Sequence, residues 1–225
     1  MLRVGLTGSL GSGKTTVAAI LRELGAEVIE ADELGRTLME PGQAVFAEIL
    51  RVFGPEVAGS DGRLNRTRLA ELAFREGRLQ DLNGIVHPAV ISAQRDWMQE
   101  VFRRNPAAVA VVESALIFEV ARDAGARGDL ESGVADWHRH FNRLVVVTAP
   151  DEIKIARYAD RVCPDGTGRE AALTEARHRL AHQIPDAEKA ANADYVIENN
   201  SNKSELRSQV ERIWKQLKEE SNSFL

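Results

Sequence analysis

The sequence feature that most constrains this chain is a glycine-rich octapeptide close to its start. Residues Gly8 to Thr15 read GSLGSGKT and match the pattern G-x-x-x-x-G-K-[ST] of a phosphate-binding loop. The apolar run Leu2 to Thr7 before it predicts a buried strand, and apolar residues at helical spacing follow from Lys14 to Leu24. A strand, a glycine-rich loop and a helix in this order predict the start of a parallel α/β sheet, with an anion site at the helix N-terminus.

The residue types in this loop suit phosphate chemistry. Glycine lets the backbone curl so that successive N–H groups point at phosphate oxygens. Lys14 supplies a mobile charge for the β- and γ-phosphates, and the Thr15 hydroxyl is a suitable Mg²⁺ ligand. Lys14 is also the only lysine before Lys154 in a chain that otherwise uses arginine there. The candidate nucleotide-binding residues of the loop are Gly11, Ser12, Gly13, Lys14, Thr15 and Thr16.

Other apolar runs predict the rest of a parallel sheet. We predict further strands at Glu27–Glu30, Ala107–Val112, Leu144–Val147 and Asp194–Glu198, and helices at Asp151–Arg161 and Lys203–Glu220. Residues 33–106 are rich in helix formers and lack convincing strands, so we expect a helical insertion with a helix after His87-Pro88. The polar residues 123–140 predict a surface excursion. The predicted fold class is α/β, with a three-layer α/β/α core of the P-loop NTPase type.

Composition and charge exclude several classes of partner. Apolar residues make up 44% of the chain and the net charge is −5, which is typical of a folded protein without the basic face that nucleic-acid binding needs. No run approaches the roughly 20 apolar residues needed to cross a bilayer. Cys163 is the only cysteine, so no intrachain disulfide can form. We therefore expect a cytoplasmic protein that binds small molecules, and neither nucleic acid nor a membrane.

Three classes of phosphate-loop protein can be compared with the sequence. A GTPase would need an Asn-Lys-x-Asp motif after a strand, and the nearest match, Asn202 to Glu205, ends in glutamate. A transport or motor ATPase would usually be larger and would carry a Ser-Gly-Gly-Gln signature, which this chain lacks. A small-molecule kinase needs an acceptor site and a lid with arginines, and it fits this chain best.

An ordered set of further motifs resembles the dephospho-coenzyme A kinase family over most of the chain. Around the phosphate loop the resemblance includes Gly5-Leu6-Thr7-Gly8 and Gly11 to Val17. The other matching elements are Leu24-Gly25, Val28 to Asp32, Arg36, Pro41-Gly42, Phe53-Gly54, Asp61 to Arg66, Leu82-Asn83, His87-Pro88, Leu116 to Glu119, Arg157, Arg161, Gln183, Ala193-Asp194 and Asn199. The phosphate loop alone is shared by many families, whereas this ordered set is far more specific.

The resemblance implies a reaction and a division of the chain. ATP, with Mg²⁺, would phosphorylate the ribose 3′-hydroxyl of dephospho-CoA to give coenzyme A and ADP. Residues 1–32, 107–156 and 183–225 would form the nucleotide-binding core, residues 33–106 a helical acceptor-binding subdomain, and residues 157–182 a small lid. We expect a monomer, with weak self-association possible. The open alternatives are a kinase of another nucleotide or metabolite, and a regulator that binds ATP without catalysis.

The same resemblance implies roles for individual residues. Asp32 would accept the proton of the ribose hydroxyl, although an aspartate after a strand is also a common helix N-cap. Arg157 and Arg161 lie four apart and share one helix face, where they would close over the phosphates or form a solvated surface. We name Asp32, Lys14 and Arg161 as catalytic residues, Thr15 as the metal ligand, Arg157 and Asn199 as further nucleotide contacts, and Asp32, Arg66, His87 and Leu116 as acceptor contacts.

Several of these roles compete with ordinary structural ones. Arg66 could be a surface charge, and His87-Pro88 could simply begin a helix. Glu113 follows an apolar strand, where its carboxylate could reach Mg²⁺ through water. The sequence departs from the family pattern at Glu30, Ala115 and Lys154, where aspartate, proline and glutamine are common, and these departures bear on the acceptor pocket and the lid.

Overall fold

A computed structural model describes residues 1–128 and 134–223 of the chain. Its strands are β1 (Leu2–Thr7), β2 (Glu27–Glu30), β3 (Val109–Glu113), β4 (Arg143–Thr148) and β5 (Tyr195–Glu198). Within these described ranges they form one sheet of five strands in the order β2-β3-β1-β4-β5. Strand β1 is parallel to both neighbours, with Leu2 opposite Val109 and Val4 opposite Arg143. The predicted α/β fold with a parallel sheet is therefore confirmed.

The central strands are buried because they are apolar along their whole length. Every residue of β3 is buried, as expected for a parallel strand covered on both faces. The main core joins these strands to helix α1 (Lys14–Glu23) through Val17 and Leu21. The C-terminal helix Lys203–Ser223 adds buried residues at helical spacing: Leu206, Val210, Ile213 and Leu217. This packing fixes the end of β1, where the phosphate loop begins.

The remaining helices alternate with the strands or fill the insertion. They are α2 (Ala31–Leu38), α3 (Ala44–Phe53), α4 (Arg66–Ala70), α5 (Leu79–Arg104), α6 (Ile117–Ala126), α7 (Asp151–Val162), α8 (Arg169–Ala181), α9 (Asp186–Ala191) and α10 (Lys203–Ser223). Short 3-10 turns lie at Pro55–Val57 and Trp137–Arg139, and a π-helical turn spans Glu71–Arg75. No helix in the described part of the chain is long and apolar enough to cross a membrane.

Two predicted boundaries are wrong, for identifiable reasons. The prediction placed a strand start at Ala107, but Asn105 forms a turn in which its side chain accepts from the Ala107 N–H at 3.1 Å, so β3 begins at Val109. The prediction also placed a helix after His87-Pro88, whereas α5 begins at Leu79 and contains Pro88 in its interior. A proline removes one hydrogen bond of the helical ladder, and the flanking turns of this long helix continue past it.

Contacts between Cα atoms divide the chain into two units. One unit comprises Met1–Ile29 and Met98–Leu225, and the other comprises Glu30–Trp97. The second unit has a hydrophobic core of its own, formed by Val45, Ile49, Phe53, Val57, Leu69 and Leu72. The predicted insertion comprises residues 33–106, whereas the second unit comprises Glu30–Trp97. The role of the insertion as an acceptor-binding subdomain stays a prediction. The lid at residues 157–182 also stays a prediction.

The predicted surface excursion at 123–140 is described in part. Helix α6 ends at Ala126, and the ring of Trp137 lies edge-on to Phe118 with centroids 5.7 Å apart. Residues 129–133 of the excursion lie outside the described residues.

Candidate active site

The loop between β1 and α1 adopts a curled backbone that requires glycine at several points, among them Gly11 and Gly13. Gly11 and Gly13 have φ angles of 73° and 98°, in the left-handed region. A Cβ atom on Gly11 would lie 2.2 Å from the carbonyl oxygen of Lys154, and one on Gly13 would lie 2.2 Å from Nδ2 of Asn199. Both conformation and space therefore exclude a side chain at these positions, so the loop backbone packs closely against α7 and the end of β5.

Lys14 is the first residue of α1 and points back over the loop. Its Nζ donates a hydrogen bond to the carbonyl oxygen of Ser9 at 3.1 Å, and only 9% of the residue is exposed. Thr15 and Thr16 follow in the first turn and are exposed. The positive end of the helix dipole and the ammonium group therefore lie together, an arrangement that favours anions.

Asn199 and Arg157 complete one side of the loop. Asn199 follows β5 and is 6% exposed, and its Nδ2 donates to the carbonyl oxygen of Ser12 at 2.8 Å. Its Oδ1 accepts from Nη2 of Arg157 at 3.3 Å. The other terminal nitrogen of Arg157, Nη1, is buried and has no hydrogen-bond partner among the described residues. Because a buried guanidinium N–H needs an acceptor, this atom is available to an anionic or purine group placed at Gly13.

Arg161 lies one turn further along α7, and the structure does not bring it to the loop. It is exposed, and its guanidinium lies 5.5 Å from the ring centroid of Tyr158. Arg179 of α8 contacts the same ring at 5.5 Å. Burial raises the pKa of Tyr158, and a hydrogen bond to Glu175 adds to the rise while the two arginines oppose it. The structure thus places Arg161 at the packing contact between α7 and α8.

Three predicted site residues belong to the second unit. Asp32 is exposed and is the second residue of α2, whose N-cap is Glu30. The alternative in which Asp32 caps this helix is therefore wrong. Arg66 is the exposed first residue of α4, and His87 is half-buried in the middle of α5.

Two further candidates, Glu113 and Leu116, lie at the end of β3 and shortly after it in the first unit. Glu113 ends the strand opposite Leu6 of β1, and it is 9% exposed. Its neighbour Ser114 donates its N–H to the carbonyl oxygen of Leu6 at 2.9 Å. Leu116 lies at the start of α6 and is 37% exposed. The ends of parallel strands meet at one edge of the sheet, so Glu113 lies at the same edge as the phosphate loop.

Comparison with known proteins identifies the family of this chain. A family model described as dephospho-CoA kinase matches residues 2–205. The chain belongs to the dephospho-CoA kinase family. A dephospho-CoA kinase from Corynebacterium diphtheriae is 36% identical over 212 residues, which cover 94% of each chain. One from Geobacillus kaustophilus is 36% identical over 219 residues, which cover 96% of each chain.

A solved structure shows the same fold. The dephospho-CoA kinase from Campylobacter jejuni superposes with a TM-score of 0.66 at 22% identity, over 97% of this chain and 98% of its own. The crystal structure of a Thermus thermophilus protein gives a TM-score of 0.71 at 31% identity, with 96% of each chain covered. The family and the P-loop kinase fold are thus established over nearly the whole sequence.

In this dephospho-CoA kinase family member, the structure also brings residues to the loop that the sequence did not assign to it. Gln183 accepts from the Leu10 N–H at 2.9 Å, and Asp186 accepts from the Ser9 hydroxyl. Lys154 pairs with Asp186 at 2.9 Å. Gln183 belongs to the motif set without an assigned role, and Asp186 was missed because an aspartate after a proline at a helix start is a common pattern.

Proposed function

We propose that this chain transfers the γ-phosphoryl group of ATP to the ribose 3′-hydroxyl of dephospho-CoA and releases coenzyme A and ADP. The observation that carries the proposal is the family match from residue 2 to residue 205. It is supported by the cationic side chains that lie beside the phosphate loop. Lys14, the α1 N-terminus and the buried Nη1 of Arg157 supply positive charge on one side of that loop. We further propose that the enzyme acts as a cytoplasmic monomer.

At the nucleotide end, the loop residues Gly11 to Thr16 would bind the phosphates through backbone N–H groups. The Lys14 ammonium, which donates a hydrogen bond to the Ser9 carbonyl, would contact the β- and γ-phosphates. Asn199 would hold Arg157 toward the nucleotide through the 3.3 Å hydrogen bond. These donors share a low-dielectric, partly buried setting, where they stabilise the negative charge on the transferred group more than they would in water.

The side chains of Thr15 and Glu113 carry oxygen atoms that suit the Mg²⁺ ion of a magnesium–nucleotide complex. Mg²⁺ is usually bound by one or two protein oxygens together with phosphate oxygens and water, rather than by an all-protein cage. The Thr15 hydroxyl would be the direct ligand, and the Glu113 carboxylate would act through water. The ion would neutralise charge on the phosphates.

At the acceptor end, Asp32 would take the proton from the 3′-hydroxyl. The hydroxyl oxygen then forms a bond to the γ-phosphorus while the bond to the ADP oxygen breaks, so the proton ends on the Asp32 carboxylate. Arg66, His87 and Leu116 would contact dephospho-CoA, and Arg161 would bring charge to the transferred group. The exposure of Asp32 and Arg66 leaves both side chains accessible to a substrate.

The decisive experiment is an ADP-release assay with ATP, Mg²⁺ and purified protein. Dephospho-CoA, adenosine, AMP and shikimate are compared as acceptors, and the product is identified by mass spectrometry. We expect turnover with dephospho-CoA and a product phosphorylated at the 3′ position. Faster turnover of another acceptor would replace the proposal with a different kinase. ATP binding without ADP release from any acceptor, lost in Lys14→Ala, would indicate a regulator.

A further inference from the structure

The first half of the phosphate loop is held by residues far away in the sequence. Gln183 lies between α8 and α9 and accepts the Leu10 N–H at 2.9 Å, while Asp186, the first residue of α9, accepts the Ser9 hydroxyl. Ser9 is in turn the residue whose carbonyl oxygen accepts from Lys14 Nζ. The position of Ser9 therefore sets both the course of the loop and the place of the Lys14 ammonium.

Asp186 is the centre of a small polar network. Besides the Ser9 hydroxyl, its carboxylate accepts from Lys154 Nζ at 2.9 Å and from the Ala149 N–H at 3.4 Å. The side chain of Asp186 is 15% exposed and that of Lys154 is 4% exposed. A largely buried carboxylate is stable only when charge and hydrogen bonds compensate it. Lys154 supplies that charge, and its own carbonyl packs against Gly11.

The segment that carries these acceptors is fixed from its other side. Glu119 of α6 accepts the Ile184 N–H at 3.0 Å, and it pairs with Lys189 of α9 at 2.7 Å. Both members of this ion pair are buried. Gln183 and Asp186 therefore reach the loop from a segment that contacts with Glu119 hold on its other side.

We propose that Gln183, Asp186 and Lys154 are positioning residues that preorganise Ser9, Leu10 and Lys14 for the phosphates of ATP. The proposal rests on the proposed function, since it takes the loop as the ATP site. It also gives a reason for the departure from glutamine at residue 154, because a neutral amide could not compensate the Asp186 carboxylate. Lys154 pairs with this buried carboxylate at 2.9 Å and with the exposed Asp151 at 2.7 Å. A loop held in advance loses less conformational freedom on binding, which increases affinity.

The test compares Asp186→Asn, Lys154→Gln and the double variant with Glu188→Gln as the matched control. Glu188 is exposed and lies in the same helix, so its substitution makes the same charge change without touching the network. The Kd of a fluorescent ATP analogue is measured without dephospho-CoA, and kcat and the KM of each substrate are measured with it. We expect each single variant to raise the Kd of the analogue roughly 10-fold. In the double variant the Kd should rise by less than the product of the two single-variant factors. The Kd of Glu188→Gln should equal that of the wild type.

The readouts separate positioning from general stability and from the proposed reaction. Urea unfolding is measured on every variant, and an unchanged KM for dephospho-CoA is expected throughout. A lower unfolding midpoint with an unchanged Kd for the ATP analogue would overturn the proposal, as would a change confined to the KM of dephospho-CoA. If Asp186→Asn does not fold, Ser9→Ala removes the same hydroxyl contact and carries the same expectation. A wild-type protein that binds the analogue but does not phosphorylate dephospho-CoA would contradict the proposed function alone.

Discussion

Lys14 and Arg157 are two cations beside one loop, and they are held in different ways. Lys14 Nζ donates to the backbone carbonyl of Ser9 at 3.1 Å, within the loop itself. Arg157 is held by a side chain outside the loop, because its Nη2 donates to Asn199 Oδ1. The guanidinium is planar, so this one hydrogen bond also orients the buried Nη1. We therefore expect Arg157 to keep its place on nucleotide binding.

Asp32→Asn tests the proposed base. The substitution keeps the size of the side chain and removes its ability to accept a proton, so kcat should fall by about 100-fold or more while the Kd of ATP stays the same. Steady-state kinetics and a direct binding titration measure the two effects. Glu33→Gln is the matched control, since Glu33 is the next residue of α2 and its carboxylate forms an exposed pair with Arg36. Near-normal turnover by Asp32→Asn would remove this residue from the mechanism.

At single residues, the sequence predicts the geometry of the loop better than it predicts contacts between distant residues. The loop pattern locates Lys14 and the glycines because their spacing follows from local backbone geometry. It does not locate Asp186, because the contact with Ser9 joins residues 177 positions apart. The capping alternative for Asp32 fails for a local reason: β2 turns directly into α2 at Glu30, so the N-cap position falls two residues earlier.

Helix α7 shows how one helical face can serve two environments. The spacing of Arg157 and Arg161 correctly places them on one side of a helix, but their partners differ. Arg157 bonds to Asn199 beside the loop, whereas Arg161 lies over Tyr158 next to α8. One helical turn therefore separates an arginine held beside the phosphate loop from an arginine held at the contact with α8.

Substitutions of these arginines should have different kinetic effects. Arg157→Ala removes a fixed cation beside the loop, so the Kd of ATP should rise roughly 10-fold. Arg161→Ala should instead lower kcat by roughly 10- to 100-fold, because in the proposed mechanism its positive charge stabilises the transferred phosphoryl group. The KM of dephospho-CoA should change by a smaller factor than kcat does. Binding titrations and steady-state kinetics on both variants measure the contrast. A higher KM for dephospho-CoA with unchanged kcat would move Arg161 to the acceptor site.

The contact between β5 and α10 predicts a pH dependence of stability. The Tyr195 hydroxyl donates to Glu220 Oε1 at 2.7 Å, and burial, followed by the carboxylate, raises the pKa of Tyr195 from 10.0 to about 12. The unfolded chain therefore loses this proton at lower pH than the folded chain does. The stabilisation is complete below pH 10 and is lost as the pH rises toward 12.

Tyr195→Phe tests this effect because phenylalanine has no proton to lose. Urea midpoints of both proteins are measured from pH 8 to pH 11.5. We expect the wild type to lose more stability than the variant above pH 10, while their difference stays constant below it. Tyr158, the other of the two tyrosines in the sequence, is present in both proteins and cancels in the comparison. Parallel curves over the whole range would show that Tyr195 titrates normally.

At the scale of the whole molecule, the parallel sheet can be predicted from the sequence. The bounds of the two units are harder to predict from it. Apolar runs fix the strands because a parallel strand buried on both faces must be apolar throughout, as β3 is. The start of α5 was missed because a proline inside a helix has the same local pattern as one at its first turn. The hydrophobic core of the second unit joins residues from α3 and α4, which a local pattern does not bring together.

Breaking the buried pair of Glu119 and Lys189 should destabilise the molecule. Lys189 is fully buried, and its Nζ lies 2.7 Å from Glu119 Oε1. Lys189→Met leaves the carboxylate without its cation, so the free energy of unfolding should fall by about 3–5 kcal/mol. Adding Glu119→Gln should recover part of the loss, since the charge is then removed. Urea unfolding of the single and double variants measures this coupling, and strictly additive losses would contradict it.

The contact of Asn199 with Ser12 has a consequence for how the enzyme is made. Synthesis runs from the N-terminus toward the C-terminus, so the amide that bonds to the Ser12 carbonyl is added 187 residues after Ser12. A nascent chain that stops before Asn199 would contain the whole glycine-rich segment without this hydrogen bond. The motif is therefore complete long before the contacts that hold its backbone in place.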